Sequence, residues 1–301
     1  MKKKILIVGS SGFIGNNCLY FFLNKKKYKI YTLVKRKQDY PANVEQINVD
    51  LNDYKKLNNK LKNLTFSYVI NLSLYVDQIT DHDKGIIFFS NNLKCTHNLI
   101  KSINKSKLER YIHIGSADEY KINNKTINEN SKIEARNYYS LSKIFISNYL
   151  MLLHKLDNFP VVILRAFLVY GEYQKDNRLI PYIIKNGIKK NKINLSSNKI
   201  KRDFLYISDF LEAINKVIIK KKSSGEIFNI CYGKSYSINQ IIKIIQSEIH
   251  NLDLSFNTFK RKYIEPPKVI VNNIKAQRIL KWKPKISISK GLKKTINFYK
   301  K

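Results

Sequence analysis

A short apolar run, Ile5-Leu6-Ile7-Val8, leads directly into Gly9-Ser10-Ser11-Gly12-Phe13-Ile14-Gly15. No other stretch restricts the fold as strongly. The run has β-branched residues and no polar interruption, the mark of a strand buried on both faces. Gly9 permits a tight turn, Gly12 lets the backbone approach a pyrophosphate, and Gly15 lets the next helix pack close to the strand. Cys18, Leu19, Phe21, Phe22 and Leu23 then place apolar residues on a helix face. A phosphate on that helix N-terminus would meet free N–H groups and a favourable dipole. The spacing is G-x-x-G-x-x-G, so the strand before it and the helix after it carry the reading as a dinucleotide site.

A second apolar strand, Tyr28 to Val34, ends in Val34-Lys35-Arg36-Lys37. An acid there would hold the ribose hydroxyls of NAD, whereas basic residues accommodate the extra phosphate of NADP. The first acid comes only at Asp39, so Lys35 and Arg36 point to NADP(H) over NAD(H), although a lysine run in a lysine-rich chain also reads as solvated surface. Asp50, in Ile47-Asn48-Val49-Asp50-Leu51, is expected to end a third short strand. There it either reaches the adenine amino group or caps the following helix.

Tyr111 to Ile114 is another strand-like run, followed by Gly115-Ser116-Ala117-Asp118-Glu119-Tyr120. Ligands of open α/β sheets bind outside the carboxyl ends of the strands, which puts Ser116 where a reacting group would stand. Tyr139 and Lys143 are one helical turn apart. An ammonium close to a phenol stabilises the phenolate, as a general acid/base near neutrality requires. Lys143 is also placed to bond a nicotinamide ribose. With 20 tyrosines in the chain, Y-x-x-x-K gains weight only from its position downstream of the glycine turn and Ser116.

Taken together, these residues resemble the extended short-chain dehydrogenase/reductase superfamily, in its nucleotide-sugar epimerase, dehydratase and ketoreductase branch. Gly9, Gly12 and Gly15 match its cofactor turn, and Asn71-Leu72-Ser73 resembles the segment after its fourth strand. The stretch Asn92 to Leu99 is similar to its N-x-x-G-T-x-N-L helix. Ser116 stands four residues before Tyr120, as the family's catalytic Ser/Thr does, and Tyr139 and Lys143 fill Y-x-x-x-K. Arg165 to Gly171 resembles R-x-x-N-V-Y-G, Arg202 to Asp209 resembles R-D-F-x-x-V-x-D, and Leu280 to Pro284 is similar to L-G-W-K-P. Leu168 departs from the Asn of the first of these motifs, Lys121 from a Gly, and Asn272 from an Asp.

The resemblance implies a doubly wound parallel Rossmann sheet with a smaller substrate-binding lobe. Residues 1–170 would form the dinucleotide domain, with 201–232 returning to it, and 171–200 and 233–301 the lobe. Ser116, Tyr139 and Lys143 would be catalytic. Ser11, Phe13, Ile14, Leu51, Leu72 and Asn92 would join the glycines, Lys35, Arg36, Asp50, Tyr139 and Lys143 around the cofactor. Ser116, Asp118, Leu168, Arg202 and Arg261 would meet a nucleotide-diphosphate sugar, with Arg202 on its diphosphate. A homodimer is the family expectation.

Elimination by a 4,6-dehydratase needs its own acid and base besides the Tyr, and Asp118 has Ala117 for a companion. A 4-ketoreductase and a 4-epimerase need only Ser, Tyr, Lys and cofactor. The basic strand end, the 301-residue length and the Ile180-Pro181-Tyr182-Ile183-Ile184 segment resemble the reductases. The expectation is therefore reduction of the C4 keto group of a 4-keto-6-deoxy nucleotide sugar, with a NAD-retaining 4-epimerase as the alternative.

The net charge of +34 raises the question of nucleic acid binding. The lysines are dispersed in twos and threes, and no zinc-finger or RNA-binding signature accompanies them, so no nucleic acid partner is expected. Dispersed charge would still speed the arrival of an anionic sugar nucleotide. No apolar stretch approaches the length of a membrane span, and the glycine turn cuts the first apolar run too short for an export signal. Cys18, Cys95 and Cys231 are expected as free thiols in a reducing cytoplasm, and the five histidines form no metal-ligand spacing. His113 is expected in the core and His82 on the surface.

Overall fold

The computed structural model describes residues 2–74, 79, 81–121, 125–195, 200–256 and 268–300. In chain order the elements begin β1 (Lys3–Val8), α1 (Phe13–Asn24), β2 (Tyr28–Val34), β3 (Val44–Asn48), α2 (Tyr54–Leu61), β4 (Tyr68–Asn71) and α3 (His82–Ser102). Next come β5 (Arg110–Ser116), α4 (Tyr138–Asp157), β6 (Val161–Ala166), β7 (Leu168–Tyr170), α5 (Leu179–Ile188), β8 (Ile193–Leu195) and β9 (Lys201–Tyr206). The chain continues through α6 (Ile207–Ile219), β10 (Glu226–Ile230), β11 (Ser235–Ser237), α7 (Ile238–Gln246), β12 (Leu254–Phe256) and α8 (Ile288–Tyr299).

These elements fall into two compact units. The first comprises Met1–Lys121, Ser131–Arg165 and Ile214–Phe228, and the second Ile122–Asn130, Ala166–Ala213 and Asn229–Lys301.

The first unit is built on a seven-stranded parallel sheet in the order β10-β6-β5-β4-β1-β2-β3. The order reverses between β1 and β4, the crevice where doubly wound sheets bind ligands. Ile5, Leu6, Ile7 and Val8 are fully buried, as are Val161, Val162, Ile163 and Leu164 on β6. Each such side chain contributes about 1.5–3 kcal/mol on burial. The register aligns Val8 with Asn71 and Asn71 with His113, so β1 and β4 end side by side while β5 runs three residues further, to Ser116. The third strand ends at Asn48, before Asp50 is reached, and Asp53 rather than Asp50 caps α2 by accepting from Lys56 N–H at 3.1 Å. Asp50 therefore neither ends the strand nor caps the helix. Its carboxylate instead accepts from Asn52 N–H at 2.9 Å, which holds it in the turn between them.

The second unit contains a three-stranded sheet, β11-β9-β7, and a parallel pair, β12-β8. Two of the recognised motifs meet there. Asp209 Oδ2 accepts from the N–H groups of Lys285 and Ile286 at 3.0 and 2.9 Å, and Trp282 Nε1 donates to Asp209 O at 3.0 Å. Asp203 is buried and accepts from Tyr232 and Gly233 N–H at 2.7 Å each. Burial still pushes its carboxyl up to about 6.

Candidate active site

The glycine turn closes as its residue types require. Gly9 has φ +82°, and a Cβ there would lie 2.9 Å from the Leu72 carbonyl at the end of β4. A Cβ on Gly15 would overlap the Gly9 carbonyl oxygen, so α1 reaches the turn only because Gly15 lacks one. Gly12 differs, because a Cβ there would meet only Gly9 O, at an ordinary 3.5 Å. The protein's own atoms leave that space open. Gly12 is also the N-cap of α1, with no side-chain cap bond, and no acid occupies the first turn. An open cradle at an uncapped helix N-terminus fits a dinucleotide pyrophosphate. Ser11 and Gly12 are exposed, and Phe13 and Ile14 are half-buried beside them. Asn71 Oδ1 accepts from Ser73 Oγ at 2.7 Å, which fixes the Leu72 segment against the turn.

Beyond the end of β2, Lys35 Nζ pairs with Asp50 Oδ2 at 2.8 Å. Lys35 and the Asn52 backbone together hold the Asp50 carboxyl below its usual range, Lys35 contributing most. Arg36 is exposed. Leu51 is buried and its carbonyl accepts from Asn98 Nδ2 at 2.8 Å, while Asn92 is buried on α3.

The second half of the site lies at the ends of β5 and α4. Asn137 caps α4 by accepting from Ser140 N–H at 2.8 Å, and the Ser140 hydroxyl accepts in return from Asn137 N–H at 3.1 Å. This reciprocal box starts the helix one residue before Tyr139 and so fixes the direction of the phenol. Lys143, one turn on, is buried and donates to Ile114 O at 2.7 Å. Its ammonium stands 5.7 Å from the Tyr139 ring centroid. Desolvation lowers the Lys143 ammonium to about 8, with Glu119 acting in the opposite sense. Ser116 ends β5, and its Oγ accepts from Asp118 N–H at 3.1 Å. Ser116, Tyr139 and Lys143 thus gather where β5 meets α4, on the carboxyl side of the sheet where the glycine turn also lies.

Other expected site residues have different surroundings. Asp118 Oδ1 accepts from Arg136 at 2.9 Å. Leu168 is exposed on β7, and Arg202, on β9, donates to Lys201 O at 2.9 Å, both within the second unit. Arg261 lies outside the described residues. His113 is fully buried and His82 exposed.

Reasoning from sequence missed Glu119. Its Oε1 accepts from Ser116 N–H at 2.8 Å and its Oε2 from Arg165 Nε at 2.8 Å, with both side chains buried. The signal was present, because Ser116-Ala117-Asp118-Glu119 is the S-x-x-E spacing of a capping box.

A doubly wound sheet with a glycine turn and a Ser, Tyr, Lys set defines the extended short-chain dehydrogenase/reductase class. Within it, the sequence pattern of the NAD dependent epimerase/dehydratase family matches residues 5–231, and the chain belongs to that family. It is 28% identical over 264 residues to a dTDP-D-glucose 4,6-dehydratase of Dictyostelium discoideum, covering 79% of this chain and 60% of that protein. A GDP-6-deoxy-D-talose 4-dehydrogenase of Aggregatibacter actinomycetemcomitans is 27% identical over 284 residues, 92% of this chain and 91% of its own length. In fold, the chain is similar to the solved UDP-glucuronic acid 4-epimerase of Bacillus cereus in complex with UDP-glucuronic acid and NAD. The TM-score of that pair is 0.88, at 23% identity over 99% of each chain.

The cofactor expectation is corrected by these findings. The family is NAD dependent, and the solved epimerase holds NAD, so NADP(H) is not the preferred cofactor. The physical reason lies in the Lys35–Asp50 pair. Counting cations at the end of β2 overlooked Asp50, an acid further along the chain that the fold brings back beside Lys35. No helix among the described residues is long and apolar enough to cross a membrane, and none of them form a metal-ligating cluster.

Proposed function

We propose that this chain uses NAD(H) to move a hydride at C4 of a nucleotide-diphosphate sugar, reducing the C4 keto group of a 4-keto-6-deoxy sugar. The observation that carries the proposal is the Ser116, Tyr139 and Lys143 set beside an Asp118 already paired with Arg136. That set serves proton transfer at one oxygen. A dehydratase would need a further acid and base, and Ala117 supplies neither. The full-length likeness to a 4-dehydrogenase of a 6-deoxy nucleotide sugar supports the same reading, since reduction is that reaction reversed.

NAD(H), when bound, supplies or accepts the hydride. Gly9, Gly12 and Gly15 would hold its pyrophosphate, and Ser11, Phe13, Ile14, Asp50, Leu51, Leu72 and Asn92 would complete its site. Ser116 Oγ donates to the C4 carbonyl oxygen, and Tyr139 delivers the proton to that oxygen as hydride arrives at carbon. Lys143 stabilises the phenolate that remains. Arg202 pairs with the sugar nucleotide's diphosphate through its planar fork. The second unit serves as the substrate-binding lobe.

A second reading, the 4-epimerase, draws support from the solved epimerase of similar fold and from the cofactor correction. The two readings separate on one assay. NADH consumption is followed at the nicotinamide absorbance against 4-keto-6-deoxy sugar nucleotides generated in situ by a dehydratase. Turnover with one of them supports the reductase. No consumption across the set, with NAD retained by the purified protein, moves the assignment to the epimerase.

We further propose a homodimer through α3 and α4. Ile86, Ile87, Phe145, Leu152 and Leu156 are exposed on this pair, and the Phe89 and Phe145 rings meet at 5.6 Å. Exposed apolar surface gathered on two neighbouring helices marks association. Phe145→Asp is expected to halve the mass measured by light scattering; a wild-type mass equal to one chain would refute the dimer.

A further inference from the structure

Glu119 has no assigned role, yet its place in the fold is specific. It follows the end of β5 in the single turn Ala117–Glu119 and is fully buried. One carboxylate oxygen holds the backbone N–H of Ser116 and the other holds Arg165, whose guanidinium also lies 4.5 Å over the Tyr120 ring. Gly115 is part of the same arrangement, since a Cβ there would lie 2.5 Å from Glu119 Oε1. The carboxylate is thus held by Arg165 on β6 and by the Ser116 backbone, in space that Gly115 leaves open.

We propose that Glu119 is a positioning residue for the reaction: braced by Arg165, its carboxylate fixes Ser116 at the strand end and supplies the negative charge that faces Lys143. The inference rests on the proposed roles of Ser116, Tyr139 and Lys143.

The groups facing Lys143 limit what else could provide that charge. Tyr139 lies one turn back on α4, and Ile114 O accepts the ammonium's hydrogen bond. His113 on β5 is fully buried, and burial holds its imidazole well below its ordinary value, with Lys143 adding to the effect, so it brings no negative charge. Arg165 on β6 faces Glu119. Lys143 holds Ile114 O and Glu119 holds Ser116 N–H, two residues apart on β5, and at that position the carboxylate raises the ammonium against the lowering by burial. The sign follows. Without the charge of Glu119, Lys143 loses its proton at a lower pH. An enzyme that needs the ammonium then loses activity earlier as pH rises.

The test compares Glu119→Gln with the wild-type chain in the C4 reduction assay. Gln keeps an acceptor for Ser116 N–H and removes the charge. The alkaline limb of the kcat profile is expected to move down by about half a pH unit or more. The drop is expected to fall on kcat, about tenfold, with KM for the sugar nucleotide held within about twofold. Glu119→Ala, which also removes the acceptor, should lose more. Glu119→Gln leaves a buried guanidinium alone, so Glu119→Gln with Arg165→Met is the companion variant, and the same downward shift is expected of it. A lowered melting temperature with an unmoved alkaline limb would overturn the inference, as would failure of both variants to fold, because the pair would then be structural alone. Tyr139→Phe keeps the two readings apart. If it stays active, the proposed function fails; if it is inactive while the Glu119 variants keep the wild-type limb, only the present inference fails.

Discussion

Tyr139→Phe is expected to lower kcat by about 10²–10⁴-fold, the range for loss of a positioned general acid. Only the hydroxyl is removed, and the half-buried ring keeps its place near Lys143. The helix start does not depend on that hydroxyl, because Asn137 and Ser140 form the cap by themselves. NAD affinity and melting temperature should therefore stay near wild type. This combination separates a chemical role from a structural one. An unchanged kcat would remove Tyr139 from the mechanism, and a collapsed melting temperature would mean that the phenol supports the fold. The measurements are steady-state turnover, NAD titration and a thermal melt of the same preparation.

The second large effect comes from setting two glycines of the turn against each other. Gly15→Val drives a side chain into the Gly9 carbonyl, a backbone atom that cannot swing aside. Overpacking of this kind costs about 1–3 kcal/mol, and the turn must also move. Both melting temperature and NAD affinity are expected to fall. Gly12→Ala adds a methyl group into space that only Gly9 O borders, at 3.5 Å. The fold should tolerate it, with a melting temperature close to wild type, while NAD affinity falls by about tenfold or more, a loss of about 1.4 kcal/mol. If NAD binds Gly12→Ala as well as wild type, the pyrophosphate does not lie at this turn. Calorimetric titration with NAD and a thermal melt report both quantities.

The contrast between these glycines bears on what a sequence can reveal. The strand and helix around the turn were legible because their signals are local: four consecutive apolar residues, then a helix face. The second strand runs from Tyr28 to Val34 as read, and β5 extends the Tyr111 to Ile114 run by one residue before and two after. Local periodicity fixes such elements with little help from the rest of the chain.

Misreadings arose where the chain folds back on itself. Lys35 looked like a free cation because its partner, Asp50, is distant in sequence, and only the pairing of β2 with β3 brings the two together. Glu119 carries no role in the sequence reading, and its partner, Arg165, stands on the next strand of the sheet. In both cases the partner of the charge is set by the fold and not by neighbouring residues. The capping-box spacing at Ser116 was a local signal, and that spacing alone was enough to place Glu119 against the Ser116 backbone. The burial of the Arg165 pair was not readable, because it depends on the packing of β5 and β6.

Asp118 illustrates the same point for the choice of reaction. In sequence it stands as a candidate acid beside Ser116. In the fold its carboxylate meets Arg136, which sits just before the α4 cap. An ion pair at this half-exposed position leaves Asp118 a proposed substrate contact, and Ala117 leaves it without the companion that elimination needs.

Hydride transfer at C4 leaves an isotope label at a single carbon of the sugar. The protein is incubated with NADH carrying deuterium at the transferable position and with 4-keto-6-deoxy sugar nucleotides, and the sugar product is examined by proton NMR. Deuterium is expected at C4, with the C4 proton signal lost. Deuterium at any other carbon, or in none of the sugars, would contradict it.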